Sequence, residues 1–451
     1  MDLSDSEKRD LIKLIENNKP IPEQYKFRLF EKSNEIELLW NGKNNEVTNV
    51  NLPFQIIENV DEPRKNIEPQ LQGNLFDDRG RKLSGWTNKL IWGNNSLVLS
   101  SLINGNLRDE IEKQGGLKLV YIDPPFNVGD DFELEIEVGK EILSKKRNAL
   151  EQLAFSDTWG KGEDSFLSMI YERLKLIHSL LHEDGLVFVH CDWRLNSSLR
   201  LVLDEIFGNK CFKNEVHIKR KTKNIQSQFS EVRMLNIAFD SVFIYSKNEN
   251  KKIRVPKKKL KEINFEGKWN NFWNNADRPT LRYDLLGISL KTGQWRWKKE
   301  KALEAVENYK EYLLKHNNLT LSEYWEKTGK IKRFIRKKEG ATRCYYWVPP
   351  TDETTVDTDW SDFYGYDNSQ AYPTAKSENL LNRIIENFSS ENDLIGDFFS
   401  GSGTTLVVAE KLNRKWIGCD LGKFAIHTAR KRLIQVQRDK EKNRENFRPF
   451  E

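Results

Sequence analysis

The segment DLIGDFFSGSGTTLVVAEKLNRKWIGCD, residues 393–420, carries the reading of the fold. An apolar run ends at Asp397, a loop of small residues follows, TLVVAEKL repeats its apolar positions at helical spacing, and a second apolar run ends at Asp420. Strand, loop, helix and strand in this order make a parallel βαβ unit. Gly401 and Gly403 let the backbone approach a ligand closely at the carboxyl end of the first strand. Asp420, at the end of the next strand, is suited to ribose hydroxyls by the logic of dinucleotide folds. A phosphate-binding loop needs GxxxxGK[ST], and this loop has threonines but no lysine after Gly403. A nicotinamide-dinucleotide loop needs a third glycine where Leu406 stands. A nucleoside without phosphates fits best, and S-adenosylmethionine is the common one.

Outward from this unit the same texture recurs. NKLIWG, LKLVYID, GLVFVHCD and DSVFIYSK are short, bulky apolar runs suited to interior strands, starting after Trp86. SFLSMIYERLKLIHSLLHEDG places Phe166, Met169, Ile170, Leu174, Ile177, Leu180 and Leu181 at helical spacing, with Gly185 as a stop; RLNSSLRLVLDEIFG follows the third strand in the same way. The alternation predicts an α/β fold, a Rossmann-like, mostly parallel sheet with helices on both faces. It breaks after Lys247 and resumes with SENLLNRIIENFS. The expected organisation is an N-terminal extension (1–85), a first catalytic part (86–247), an insert (248–370), a second catalytic part with the cofactor loop (371–436) and a short charged tail (437–451). In the extension, Leu11, Ile12, Leu14 and Ile15 predict a helix, and EIELLWNG and TNVNLPFQII predict short strands in a packing or interaction module.

Composition bounds the rest. The chain has 451 residues, enough for two or three domains, and a net charge of +5 from 73 basic and 68 acidic residues. So small an excess says little of partners; its distribution matters more. Four cysteines without a CxxC pair exclude the common zinc spacings and suggest a reducing compartment. The histidines, His178, His182 and His190 among them, form no ligand spacing, and no metal is expected. The polar start is unlike a secretory signal, and no apolar run nears the roughly 20 residues needed to span a bilayer. A cytoplasmic protein with no membrane partner is expected.

A second motif stands earlier, in KLVYIDPPFNVGDDF, residues 118–132. Asp123, Pro124, Pro125 and Phe126 end a core strand. Neither proline has an N–H for a sheet ladder, so the strand stops there and leaves carbonyls of the turn free. Asp130 and Asp131 read as solvated loop charges.

DPPF and DFFSGSGTT together resemble the amino-methylating DNA methyltransferases, which modify N6 of adenine or N4 of cytosine. The order (DPPF, insert, cofactor loop) resembles the beta group, including modification subunits of type III restriction systems. YPTAKSENLLNRII is similar to that group's segment before the cofactor loop, but lacks the proline that normally follows Lys376. LIWGNN is similar to a segment that usually carries Gly-Asp, and here Asn94 takes the Asp position. The resemblance implies an S-adenosylmethionine-dependent methyltransferase sheet. It implies cofactor contacts from Asp397, Phe398, Phe399, Ser400, Gly401, Ser402, Gly403, Thr404 and Asp420, with Asp397 toward the cofactor's amino group and Lys376 toward its methionine end. It also implies the chemistry. The Asp123 carboxylate and the Pro124 carbonyl accept the two N–H bonds of the target amine, freeing a lone pair that is otherwise conjugated to the ring, and stabilise the charge that develops. Phe126 stacks on a base that has left the helix.

The insert reads as a DNA-recognition domain. KKIRVPKKKLK (251–261) has seven basic residues and no acid; KIKRFIRKK (330–338) has six. Arginines interleave with aromatics in RPTLRYD and GQWRWKK. Phosphate contacts and base stacking are expected from Lys257, Lys258, Lys259, Arg278, Arg282, Trp295, Arg296, Trp297, Arg333 and Arg336; the competing reading is a solvated basic face around a small tryptophan core. The sequence as a whole points to a DNA adenine-N6 methyltransferase acting on double-stranded DNA, because Ser commonly replaces Asp123 in cytosine-N4 enzymes. The rival readings are cytosine-N4 methylation and a non-catalytic DNA-binding subunit. A homodimer and a restriction subunit are the candidate protein partners; no helicase or nuclease motif is present.

Overall fold

The computed structural model describes residues 11, 12, 14, 16, 38–61, 86–125, 163–220, 231–232, 234–259, 266–316, 318–338, 340, 342–366 and 375–451, with the backbone alone of 134–138, 141–145 and 259. The chain divides into two compact units, Met1–Val255 with Asp357–Glu451, and Pro256–Val356.

The first unit is built on an eight-stranded sheet. Its strands are β1 (Lys89–Trp92), β2 (Leu117–Ile122), β3 (Leu181–Cys191), β4 (Phe212–Lys219), β5 (Phe239–Ser246), β6 (Asp359–Tyr364), β7 (Leu394–Asp397) and β8 (Lys415–Asp420). They lie in the order β1-β8-β7-β2-β3-β5-β4-β6. The five from β1 to β3 run parallel; β5 is antiparallel to both neighbours, and β4 and β6 pair parallel. The middle strands are apolar on both faces because helices cover both. Helices α1 (Asn95–Asn104), α3 (Glu163–Leu180) and α4 (Asn196–Phe207) pack on one another, α2 (Leu107–Lys113) lies beside α1, and α5 (Glu378–Phe388), α6 (Thr404–Lys411) and α7 (Lys423–Lys442) form the other group. The expected mostly parallel α/β sheet is present. No helix among the described residues is long and apolar enough to cross a membrane.

Three local expectations need correction. Helix α3 stops at Leu180, ahead of Gly185, and β3 begins at Leu181, paired to Leu117. The segment 38–59 contains no strand. It runs along helices instead: Val50 N–H donates to Ser100 Oγ (2.7 Å), Leu52 N–H to Ser101 Oγ (3.0 Å), and Trp40 Nε1–H to Ser168 Oγ (2.8 Å). The residues after 436 are no loose tail. Helix α7 continues to Lys442, Gln437 and Lys440 are buried, and Phe450 packs on Trp416 and bridges Val60 and Asn88. This strip covers the open edge of β1, through bonds from Asn88 N to Pro449 O (3.1 Å) and Leu90 N to Glu451 O (2.8 Å).

The second unit is narrower than the expected insert, since β6 already belongs to the main sheet. It contains an antiparallel sheet of Ile335–Lys337, Cys344–Val348 and Lys268–Asn271, a helix Lys299–Lys315, and a short helix Leu321–Lys327 that Thr320 and Glu323 cap reciprocally. Phe272, Leu285, Trp295, Ala302, Ala305, Val306, Ile335 and Cys344 are its main core.

Candidate active site

Neighbouring parallel strands end side by side along one edge of the main sheet. Asp420 ends β8, Asp397 ends β7 and Asp123 follows β2. From β2 the chain proceeds toward β3, and from β7 toward β8, so the strand order reverses between β2 and β7. Ligands of open α/β sheets bind at such a switch point, outside the carboxyl ends of the strands. The two motifs, more than half the chain apart in sequence, therefore face one crevice.

The cofactor loop is held from several sides. Ser400 N–H and Oγ–H donate to Cys419 O (3.0 and 3.1 Å), and Gly401 N–H donates to Asp420 Oδ2 (2.8 Å). Asp420 Oδ1 accepts from Gly422 N–H (2.7 Å), so the residue expected at the ribose also shapes the loop. Arg432 of α7 donates to Ser402 O and Thr404 Oγ1 (both 2.9 Å) and pairs with Glu378 (2.9 Å). Gly401 and Gly403 both have positive φ, +49° and +74°. The expected reason for Gly403 is corrected, however. A Cβ there would meet Ala429 Cβ at 2.6 Å, so the missing side chain admits helix α7. Phe398 is corrected too: its ring is fully buried in the core, and its carbonyl accepts from Asn95 Nδ2 (3.0 Å). Phe399 only partly joins that core. Asn94, in the place of the usual aspartate, caps α1 by accepting from Ser96 N–H (3.0 Å).

Asp397 is buried, and its Oδ1 accepts from Phe399 N–H (3.0 Å). Burial pushes its carboxyl up to about 7, with Asp123 and Asp420 adding to the rise. Carboxyl groups stand at the ends of three adjoining strands, an acidic field that disfavours a phosphate. S-adenosylmethionine, with a sulfonium and an ammonium, fits that field.

Asp123 lies one strand over, its side chain 23 % exposed, with Pro124 buried behind it. Phe126, Asp130 and Asp131 lie outside the described residues. Asp123 Oδ1 is itself buried, and Lys376 Nζ stands 3.0 Å from it. Lys376, expected at the methionine end of the cofactor, is thus an ion-pair partner of the Asp123 carboxylate. Its ammonium also lies 4.0 Å from the centre of the Tyr366 ring. Burial opposes charge on Lys376, but Asp123 and Tyr366 outweigh it and hold the ammonium above the usual lysine range.

Beneath this pair a polar chain crosses the sheet. Tyr121 OH meets His190 Nδ1 (3.1 Å), His190 Nε2 lies 3.6 Å from Asp240, and Arg220 joins Asp240 (3.0 Å) to Asp192 (2.8 Å). Burial, helped by Lys376, lowers His190 and keeps it neutral. Sequence reasoning read His190 as a plain core or surface histidine and missed Tyr366, Tyr121, Asp240 and Arg220. Alternation along β3 and β5 was the available signal, since polar residues at the ends of otherwise apolar strands need partners. No group of His, Cys, Asp and Glu among the described residues is arranged to hold a metal ion.

In the second unit the candidate DNA residues separate. Trp295 is 1 % exposed and stacks on Phe272, so it is core, against expectation. Arg282 is engaged by Asp277 and Gly293 O, Arg336 lies on the Trp269 ring (4.1 Å), and Lys257 pairs with Glu353 (3.0 Å). Lys257, Lys258 and Lys259 form one strand against Glu353–Thr355, and Arg278 is exposed. Arg296, Trp297 and Arg333 converge, with Lys298 and Lys301, on an open groove of about 650 Å³ that also carries Glu300 and Glu304. Arg333 and Lys301 lie 5.6 and 5.7 Å from the Trp297 ring centre.

Known proteins resemble this chain in sequence. The chain is 28% identical over 362 residues to the type II methyltransferase M.EcaI of Enterobacter cloacae, covering 77% of this chain and 69% of that protein. It is 27% identical over 356 residues to the StyLTI Mod subunit, a type III restriction-modification enzyme of Salmonella typhimurium, covering 73% of this chain and 50% of the relative, so it spans about half the length of that subunit. Among solved structures, the cytosine-N4-specific PvuII DNA methyltransferase matches at 15% identity and a TM-score of 0.34, over 80% of this chain and 94% of that one. The model of the N6/N4 DNA methylase family matches residues 117–431, from the first residue of β2 into α7 and across both motifs, and the chain belongs to that family.

Proposed function

We propose that this chain is a DNA methyltransferase that modifies N6 of adenine in a base flipped out of duplex DNA. The observation that carries the reading is the Asp123 carboxylate, held by the buried Lys376 ammonium at the switch point beside the cofactor loop. S-adenosylmethionine, when bound, supplies the electrophilic methyl group. The protein's part is to orient and polarise the amine. Asp123 and the Pro124 carbonyl accept its two N–H bonds and draw the nitrogen toward tetrahedral geometry. The lone pair freed in this way would accept that methyl group, and the amine would then lose one proton to solvent. Asp397 would hold the ammonium of the cofactor, and Asp420 with the Gly401 loop would hold its nucleoside. The groove around Trp297 contacts the duplex through Arg296, Lys298, Lys301 and Arg333. The reaction belongs to the cytoplasm, where the DNA is, and the likeness to a Mod subunit supports a restriction subunit as partner.

Asp123 favours adenine over cytosine, and one experiment tests both base and mechanism. DNA from a host without DNA methylation is incubated with enzyme and cofactor, then digested to nucleosides. N6-methyladenine is expected; N4-methylcytosine would transfer the same mechanism to the other base. Asp123→Asn, which keeps the shape and does not strand the buried Lys376 as alanine would, should slow transfer on the order of 100-fold. Transfer by Asp123→Asn at the wild-type rate would sink the mechanism.

A further inference from the structure

One side chain spans the far end of the cofactor loop. Arg432 Nη1 donates to Ser402 O (2.9 Å), Ser402 Oγ (3.2 Å) and Thr404 Oγ1 (2.9 Å), and its Nη2 donates to Glu378 Oε1 (2.9 Å). A single guanidinium therefore ties the residues on both sides of Gly403 to the first residue of α5. Helix α7 meets the loop twice at helical spacing, since Ala429 packs against Gly403 and Arg432 stands one turn further on. A cation beside the start of α6 is disfavoured by the peptide dipoles, so Arg432 does not serve that helix. Glu378 offsets the charge and aims the fork, and Lys411, at the end of α6, takes the other Glu378 oxygen (2.6 Å). Two residues before Glu378, Lys376 pairs with Asp123 (3.0 Å), and Ser377 N–H between them donates to Gly365 O (2.9 Å). The short run 376–378 thus has one charged end on the Asp123 turn and the other on the cofactor loop. Lys376, Ser377, Ser402 and Thr404 are all buried, which keeps water from replacing these bonds.

We propose that Arg432 is a positioning residue that, through Glu378, holds the cofactor loop and the Asp123 turn in fixed relation. The loop is then preformed for S-adenosylmethionine, and its filling is felt at the start of α5. This inference rests on that loop binding S-adenosylmethionine. Neither Arg432 nor Glu378 acts on the cofactor directly; each acts through Ser402, Thr404 and the backbone of residues 376–378.

Two measurements on the full chain test this. The first is S-adenosylmethionine affinity by calorimetry. Glu378→Gln and Arg432→Lys should each weaken binding about tenfold, the worth of one hydrogen bond to a charged group. An ammonium cannot span Glu378 and the loop oxygens as the planar fork does. The double variant should be little worse than either single one, since both break the same link. Lys411→Met, which removes the other Glu378 partner, should bind as wild type does. The second measurement is hydrogen exchange of backbone amides, with and without cofactor. In the free protein, residues 400–404 should exchange faster in Arg432→Lys than in wild type, with β7 unchanged. In wild type, S-adenosylmethionine should slow exchange in 376–381 as well as in the loop; in the variants it should slow the loop alone. Wild-type affinity in either single variant would overturn the proposal, and so would losses that add in the double variant. Absence of the α5 response in wild type, or its survival in the variants, would overturn it too. Glu378 is partly exposed, so Glu378→Gln carries both measurements if Arg432→Lys does not fold. A wild-type protein that fails to bind S-adenosylmethionine would instead remove the reading of the loop itself.

Discussion

Asp397 and Asp123 end neighbouring strands but live in different surroundings, and that difference is measurable. With its carboxyl raised to about 7 by burial, Asp397 holds a proton over part of the neutral range. The sign follows directly. Between the ordinary carboxyl value of 3.8 and about 7, the folded protein binds more protons at this site than the unfolded chain, so its contribution to stability falls as pH rises through that window. A cationic ligand end favours the ionised form. S-adenosylmethionine affinity should therefore rise about tenfold per pH unit up to roughly pH 7 and then level off. Calorimetry in buffers of different ionisation enthalpy should detect proton release, and Asp397→Asn should flatten the curve. Asp123, Asp397 and Asp420 were legible in the sequence because each ends an apolar run. Phe398 and Trp295 were misread because neither a motif resemblance nor an arginine–aromatic pattern says which way a ring faces. The partner of Lys376 was hidden because a contact across the sheet edge leaves no local pattern.

Among the elements, the junction of α6 and α7 shows how a correct residue can be chosen for the wrong reason. Gly403 needs positive φ, and its Cα hydrogen faces Ala429 rather than open space. Gly403→Ala should destabilise the fold by roughly 1–3 kcal/mol, from overpacking and left-handed strain together. Adding Ala429→Gly should recover only the overpacking part. Urea midpoints of the two variants check this, and equal losses in both would deny the contact. Elements with internal periodicity (α3, α4, α5 and the interior strands) could be read directly. The segment 48–57 could not, because an apolar alternation says extended and does not say paired. Serine hydroxyls on α1 supply the bonds a neighbouring strand would have given. β6 escaped notice for the opposite reason: a short edge strand with Asp359 and Asp362 looks like loop.

For the molecule as a whole, a net charge of +5 hides an uneven distribution. Four cations gather around Trp297, while Lys257 in the longest basic run is already paired with Glu353. Replacing Arg296 and Arg333 together by alanine should flatten the log–log salt dependence of DNA binding, by up to about 0.9 for each lost phosphate contact. Lys257→Ala should change it less. Fluorescence anisotropy over a salt series checks both, and an unchanged slope in the double variant would take the groove off the DNA. The interrupted α/β plan was visible in the sequence because the alternation stops and resumes. The true extent of the inserted unit was not, because its limits are set by which sheet a strand joins.

The strand order also governs how the chain can acquire its shape. β1 and β2 are near neighbours in sequence, yet β8 and β7 lie between them in the sheet. Until those late strands arrive, β1 and β2 have no partner on their facing edges, and hairpin-like local pairing cannot help them. Their contacts must close very long loops, which makes for slow folding. The crevice is completed late, because β7 and β8, which border it opposite β2, are the last strands of the sheet in the chain. A partly synthesised chain therefore has the Asp123 turn but not the glycine loop that borders the same crevice.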